Sequence, residues 1–122
     1  MRILVVDDDA MAGEMIGAVL EELGHVVVLA GDGVGARDTL AADAGIGLIV
    51  SDMNMPGVSG LDLFRGLREQ GRRVPFILLT GDAPEHLLEL EPGLDACLLK
   101  DFDLEETLPA VLAKVLGESA RS

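Results

Sequence analysis

The 122 residues make one domain, with enough chain to bury roughly two-thirds of the surface it exposes when unfolded. Hydrophobic side chains are 49% of it and aromatics only 2%, so the core must be aliphatic and base stacking on aromatic rings is excluded. Nine Lys and Arg against 22 Asp and Glu give a net charge of -13, which repels phosphate backbones, argues against direct nucleic-acid binding and favours a cation or a basic protein surface as partner.

Residues 3–6 are a continuous aliphatic run, as expected of a strand covered on both faces, and the run stops at Asp7-Asp8-Asp9. Over residues 10–23 Met11, Met15, Ile16, Val19, Leu20 and Leu23 recur at helical spacing, and Gly24 is a suitable stop. Residues 26–30 read as a short second strand. Gly31-Asp32-Gly33 then turns the chain into a weaker helix with Val34, Leu40 and Ala44 on its apolar side. Gly45-Ile46-Gly47 leads into a third strand that ends on Asp52, and Pro56-Gly57 turns the chain within a few residues.

Leu61, Phe64 and Leu67 mark a third helix to about Gln70, closed by Gly71 and the basic Arg72 and Arg73. Pro75 opens a fourth strand over residues 76–80. A short, soft helix is expected over residues 83–94, between Pro84 and Pro92-Gly93. Residues 95–99 are a fifth strand that finishes on Lys100. Asp103 and Glu106 have capping-box spacing before the stripe Leu104, Leu108, Val111, Leu112, Val115 and Leu116. Pro109 lies inside that stripe and is expected to kink the helix or displace its start. The order is (βα)5, an α/β doubly wound five-stranded parallel sheet of strand order 2-1-3-4-5 with right-handed crossovers.

The lone cysteine, Cys97, excludes an internal disulfide and a cysteine zinc site and agrees with a reducing compartment. Arg2 is followed by only four apolar residues before three acids, which is no signal peptide, and no stretch reaches membrane-spanning length. The expected location is the cytoplasm.

If the strands run the same way, their carboxyl ends gather Asp7, Asp8 and Asp9 from the first, Asp52 from the third, Thr80 from the fourth and Lys100 from the fifth. Carboxylates this close raise one another's pKa unless a cation separates them, so a hard divalent ion is the natural occupant. Mg²⁺ suits the set, since it takes oxygen ligands and commonly uses one or two carboxylates plus substrate phosphate; Mn²⁺ is the alternative. The chain has only two lysines, and Lys100 at the end of an aliphatic strand is read as functional. A carboxylate, a metal, a hydroxyl and a point positive charge suffice for phosphoryl transfer to an aspartate. Asp52 is then the nucleophile. Asp8 holds the metal directly and Asp7 directly or through water, Thr80 donates to one phosphoryl oxygen, and Lys100 pairs with another.

Ile3-Leu4-Val5-Val6-Asp7-Asp8-Asp9, the run from Ser51-Asp52-Met53-Asn54-Met55-Pro56-Gly57 to Leu63, Leu78-Leu79-Thr80-Gly81-Asp82 and Leu98-Leu99-Lys100 together resemble the response-regulator receiver domain. This is the CheY-like phosphoacceptor of bacterial two-component signalling, and the resemblance covers essentially the whole chain, residues 1–122. It implies phosphorylation of Asp52 by a histidine kinase or histidine phosphotransfer protein. It also implies an Mg²⁺ site of Asp7, Asp8, Asp52 and the backbone carbonyl of Asn54, with Thr80 and Lys100 completing the switch. Two positions depart from the family. Asp101 stands where a proline usually follows the lysine, and Cys97 replaces the switch aromatic three residues before it. A thiol cannot supply a ring that turns inward, so the resemblance carries over the phosphoacceptor without the usual coupling.

Asp9 reads as a helix N-terminal acid outside the site, and Cys97 as a small buried hydrophobe. His25 and His86 read as surface residues, and the cluster Arg65, Arg68, Arg72 and Arg73 as the solvated end of a helix. Two other functions remain in play: a degenerate receiver used only for protein docking, and a haloacid-dehalogenase-like phosphatase. The latter wants Asp-x-Asp-x-Thr or Val on the first strand, a pattern that Met11 breaks. Self-phosphorylation and autodephosphorylation are the only chemistry expected, modulated by Asn54 and Asp82 beside the attacking water. The chain is expected to be a monomer or weak dimer, either a stand-alone receiver or one excised from a hybrid kinase or larger regulator.

Overall fold

The computed structural model describes residues 1–101 and 103–121. Five strands alternate with five helices: β1 Arg2–Val6, α1 Ala10–Glu22, β2 Val26–Ala30, α2 Gly33–Ala42, β3 Ile46–Asp52, α3 Gly60–Glu69, β4 Phe76–Thr80, α4 Pro84–Leu90, β5 Ala96–Leu99 and α5 Leu104–Arg121. The strands are parallel in the order β2-β1-β3-β4-β5, as the (βα)5 reading expects. Successive strand residues point to opposite faces, so each central strand feeds two cores. Leu4, Val6, Ile49, Phe76 and Leu78 pack with α2 and α3, while Ile3, Val5, Leu48, Val50, Ile77 and Leu79 pack with α1 and α5. Since β1 and β3 are adjacent, Asp7 and Asp52 leave the sheet side by side, and β4 and β5 follow with Thr80 and Lys100.

The helices depart from the sequence reading in their faces more than in their positions. On α1 it is Gly13, Ile16, Gly17 and Leu20 that are buried, while Met11 is 80% exposed and Met15 and Leu23 also face outward. A Cβ on Gly17 would stand 3.2 Å from Val27 Cγ1, so the helix settles closer to the sheet than its larger apolar residues would permit. On α2, Gly33, Ala36 and Leu40 are buried, Val34 is exposed, and Ala44 lies beyond the helix in an exposed position. The fourth helix is shorter than residues 83–94 and has no buried residue. For α5, Pro109 does not displace the start, which remains at Leu104. Its first turn is closed by the Asp103 carbonyl, which accepts from the Glu106 and Thr107 N–H groups, and by the Asp101 carboxylate, which accepts the Asp103 N–H.

A capping box that the sequence reading missed opens α3: Ser59 Oγ accepts the Asp62 N–H and Asp62 accepts the Ser59 N–H. Of the four arginines read as a solvated helix end, Arg65 and Arg73 are exposed, whereas Arg68 and Arg72 are partly buried. Arg68 lies 4.5 Å over the Phe64 ring, donates to the carbonyls of Arg72 and Val74, and stands 3.7 Å from Asp95. Arg72 donates to the Leu40 carbonyl, so two of the four cations pin the α3–β4 connection to its neighbours, while Arg65, half-exposed on α3, donates to Glu91 at the end of α4. Among the described residues no helix is long and apolar enough to cross a membrane.

Candidate phosphoacceptor site

The last residue of β3, Asp52, is only 6% exposed, and Asp7, immediately after β1, is 4% exposed. Asp8 faces solvent. One carboxylate oxygen from each of the three lies within 4.8 Å of the others. Lys100 Nζ reaches in from the end of β5, 2.7 Å from Asp7 Oδ2 and 3.4 Å from Asp52 Oδ2. The other oxygen of Asp7 accepts the Asp9 N–H at 2.9 Å, so Asp7 is held from two sides and its orientation is settled before any ligand arrives. Asp9 itself caps α1, accepting from Met11 and Ala12, and takes no part in the cluster.

Burial raises the pKa of Asp52, and the neighbouring charge of Asp7 adds to it, while Lys100 and the Asn54 backbone N–H oppose the rise. Burial pulls Lys100 down, but the hydrogen bond and charge of Asp7, together with the charge of Asp52, outweigh it and leave its pKa raised. One ammonium therefore serves two buried carboxylates. The geometry leaves a net negative, oxygen-only set with one exposed member, which fits a hard cation that keeps part of its water shell.

Thr80 is buried at the end of β4, but its hydroxyl is turned into its own loop: Oγ1 donates to the Asp82 carbonyl at 2.9 Å and accepts the Asp82 N–H at 3.2 Å. Asn54 and Asp82 are exposed on the turns beyond β3 and β4. Cys97 is buried in the core that holds Phe64 and Phe76, and burial, with the charge of Glu85, pushes its thiol up to about 11, so it remains protonated. The Lys100–Asp101 peptide is trans.

Residues 3–112 match the family model described as the response regulator receiver domain. The chain belongs to that family. It is 40% identical, over its whole length, to the response regulator protein PmrA of Pseudomonas aeruginosa, of which it covers 56%. The chain spans about half the length of the curated relatives it matches. Among solved structures it superposes on the response regulator TrrA of Thermotoga maritima, in complex with Mg²⁺ and BeF, with a TM-score of 0.83 at 28% identity, covering 93% of this chain and 97% of that one. It also superposes on the receiver domain of a histidine kinase from Syntrophus aciditrophicus with a TM-score of 0.86 at 30% identity, covering 99% and 93%. Receiver domains are signalling modules of two-component systems rather than conventional enzymes, and membership of this family displaces the dehalogenase-like alternative.

Two supports of this receiver's acid cluster are visible only in three dimensions. The Ser51 hydroxyl donates to the Asp52 carbonyl at 3.0 Å. Against that same carbonyl lies Gly60, the first residue of α3, where a Cβ would collide with the oxygen and stand 2.6 Å from Leu78 Cδ1. The only sequence signal for the second was a glycine at a helix start.

The raised pKa of Asp52 has a consequence for stability. Between its ordinary 3.8 and its higher value in the folded state, the folded receiver binds the proton that the unfolded chain has released. Stability therefore falls as pH rises through that interval and stays lowered above it. The Asp52→Asn receiver should lack this loss. Without divalent metal it should melt a few degrees above the parent at pH 7, with the gap closing as the pH approaches 4, by calorimetry at matched ionic strength. A gap that widens toward low pH would contradict the assignment.

Proposed function

We propose that Asp52 accepts a phosphoryl group from a histidine kinase or histidine phosphotransfer protein. The observation that supports this most strongly is the convergence of Asp7, Asp8 and Asp52 within 4.8 Å beside a single lysine. An Asp52 carboxylate oxygen attacks phosphorus and a P–O bond forms. The P–N bond to the donor histidine breaks, its electron pair stays on the imidazole nitrogen, and that nitrogen takes up a proton. Lys100 balances charge on one phosphoryl oxygen, and Thr80, once its hydroxyl turns from Asp82, donates to another.

Asp7, Asp8, Asp52 and the Asn54 carbonyl would hold Mg²⁺, with Mn²⁺ able to use the same oxygens. When bound, the ion supplies charge neutralisation between the carboxylates and the incoming phosphoryl oxygens. Asn54 and Asp82 border the water that later hydrolyses the aspartyl phosphate, so equal phosphate lifetimes in the parent, Asn54→Ala and Asp82→Ala would remove both from that role.

In this reading residues 1–122 form a single receiver that works in the cytoplasm as a monomer or weak dimer. Its surface, at a net charge of -13, is not the part of a regulator that meets nucleic acid. The test is labelling by acetyl phosphate. With millimolar Mg²⁺ the parent should take up one phosphoryl group per chain, lose that capacity when the metal is chelated, and regain it when Mg²⁺ is restored. Labelling that ignores chelation, or that persists in Asp52→Asn, would overturn the proposal.

A further inference from the structure

The sheet ends at β2, which pairs with β1 on one side and leaves its other edge open. Open edges are ordinarily blunted by charge, proline or a bulge, because their unpaired main-chain groups recruit further strands. β2 uses none of these. Its register with β1 is unbroken, and from Leu23 to Gly31 the chain carries no Asp, Glu, Lys, Arg or Pro, in a protein whose net charge is -13. Val26 and Leu29 are 54% and 50% exposed, and Leu23 and Val34, just outside the strand, are exposed as well. The edge at β5 is better guarded, since that strand is shorter and lies between Asp95 and the charged pair Lys100-Asp101.

Hydrogen bonds settle which groups face outward. Val26 donates its N–H to the Met1 carbonyl, and the Ala30 carbonyl accepts the Asp7 N–H, so residues 26, 28 and 30 turn their main-chain groups to β1. Both groups of a strand residue point to one side and the side alternates along the strand, so Val27 and Leu29 offer theirs to the open edge. We propose that this edge is a self-association surface, on which a second copy of the chain adds its own β2 antiparallel about a two-fold axis at Val28. Val27 of each copy then faces Leu29 of the other, and the two pairs exchange four N–H to carbonyl bonds. Val28 meets its counterpart at the axis, and the half-exposed Val26 lies opposite Ala30. A slip of one residue would set outward groups against inward ones, which fixes the register. The His25 N–H is already donated to the Leu20 carbonyl, so the ladder extends no further on that side. A second copy fits because the strand is complementary to itself, brings no charge to the join, and closes the pair by symmetry with no β2 edge left over. Glu14, which lines the cavity beside Leu29, and the overall charge of -13 repel the copy, so the pair is weak at low salt and tightens as salt screens them. The surface is independent of the phosphoacceptor reading.

Sedimentation velocity at concentrations up to about 1 mM, where weak dimers are populated, should show a monomer–dimer equilibrium that tightens between low salt and about 0.5 M NaCl. Leu29→Glu changes a side chain that is already half exposed, yet it replaces two apolar cross-strand pairs and adds a like charge to each copy, so the dissociation constant should rise about tenfold or more. Register is read by crosslinking. Counterparts at the axis form a pair without mutual hydrogen bonds, with Cα atoms about 4.5 Å apart, which a disulfide can span. Val28→Cys should therefore oxidise to a linked dimer, whereas Val26→Cys, whose counterpart lies several residues away across the join, should not. The parent, whose lone Cys97 is buried, serves as the unlinked control. A parent that stays monomeric throughout, a dimer indifferent to Leu29→Glu, or linkage at position 26 in place of 28 would each overturn the proposal. If Val28→Cys does not fold, the comparison of Leu29→Glu with the parent decides alone.

Discussion

Substituting methionine for Lys100 should weaken both the fold and the transfer step. The ammonium is the cation recorded between Asp7 and Asp52, 2.7 and 3.4 Å away, and its side chain is 24% exposed. Removing one partner of a fully buried pair costs about 3–5 kcal/mol, and partial exposure together with protonation of the abandoned carboxylates reduces the expectation to about 2 kcal/mol. Because the folded-state pKa of Lys100 is raised, its contribution is fully present at neutral pH and is lost only as pH rises beyond the ordinary lysine value of 10.5. The deficit should therefore be seen in full at pH 7, and Mg²⁺ should recover part of it by taking over the neutralisation of Asp52. Transfer from acetyl phosphate should slow about a hundredfold or more, the usual effect of removing one preorganised group that meets developing charge. A Lys100→Met protein as stable and as readily labelled as the parent would show that the ammonium is a bystander.

Alanine at position 60 should be the most damaging single methyl group in the chain. Gly60 opens α3 against the carbonyl of Asp52, and the added carbon would overlap that backbone oxygen while crowding Leu78. Neither obstacle is the end of a flexible side chain free to swing away, since Leu78 is fully buried in a central strand. The helix start must move, taking with it the Gly60 N–H to Met53 carbonyl bond and the Ser59–Asp62 cap. Overpacking commonly costs about 1–3 kcal/mol, and a clash with main chain belongs at or above the top of that range. Urea unfolding of Gly60→Ala should show a loss of about 3 kcal/mol. Beryllofluoride affinity should fall further than stability alone explains, because the displaced carbonyl adjoins the acceptor. Gly57→Ala is the comparison: its φ of 77° penalises alanine, but a Cβ there meets nothing within 4 Å, so its cost should be conformational and smaller.

These two residues mark what the sequence displays and what it withholds. Lys100 was legible because a cation at the end of an aliphatic strand has no packing reason to be there, and because parallel strands bring their carboxyl ends to one rim. Asp7, Asp8 and Asp52 were legible on the same ground. Gly60 was not, since a glycine at a helix start is compatible with ordinary capping until the carbonyl it must clear is placed by the fold. The period of α1 was read correctly as helical, yet Met11 and Met15 face solvent while Gly13 and Gly17 face the sheet. Apolar spacing defines a stripe, and closeness of approach to the neighbouring strands decides which residues lie within it. Arg68 and Arg72 were misread for a related reason: a long side chain chooses its partners from residues far along the chain, here Asp95 for Arg68 and the Leu40 carbonyl for Arg72. The Thr80 hydroxyl shows the same limit, because its position at a strand end was evident and its bonds to Asp82 were not.

Everything in the functional account depends on which carboxyl group carries the phosphoryl group. An acyl phosphate is reduced by borohydride to the corresponding alcohol, so parent protein labelled by acetyl phosphate in Mg²⁺, then reduced and digested, records its acceptor as a residue-specific mass change. The expected result is conversion of Asp52 to homoserine, with Asp7, Asp8 and Asp9 unchanged. Conversion at any of those three in place of Asp52, or no conversion in protein that has taken up label, would contradict the account.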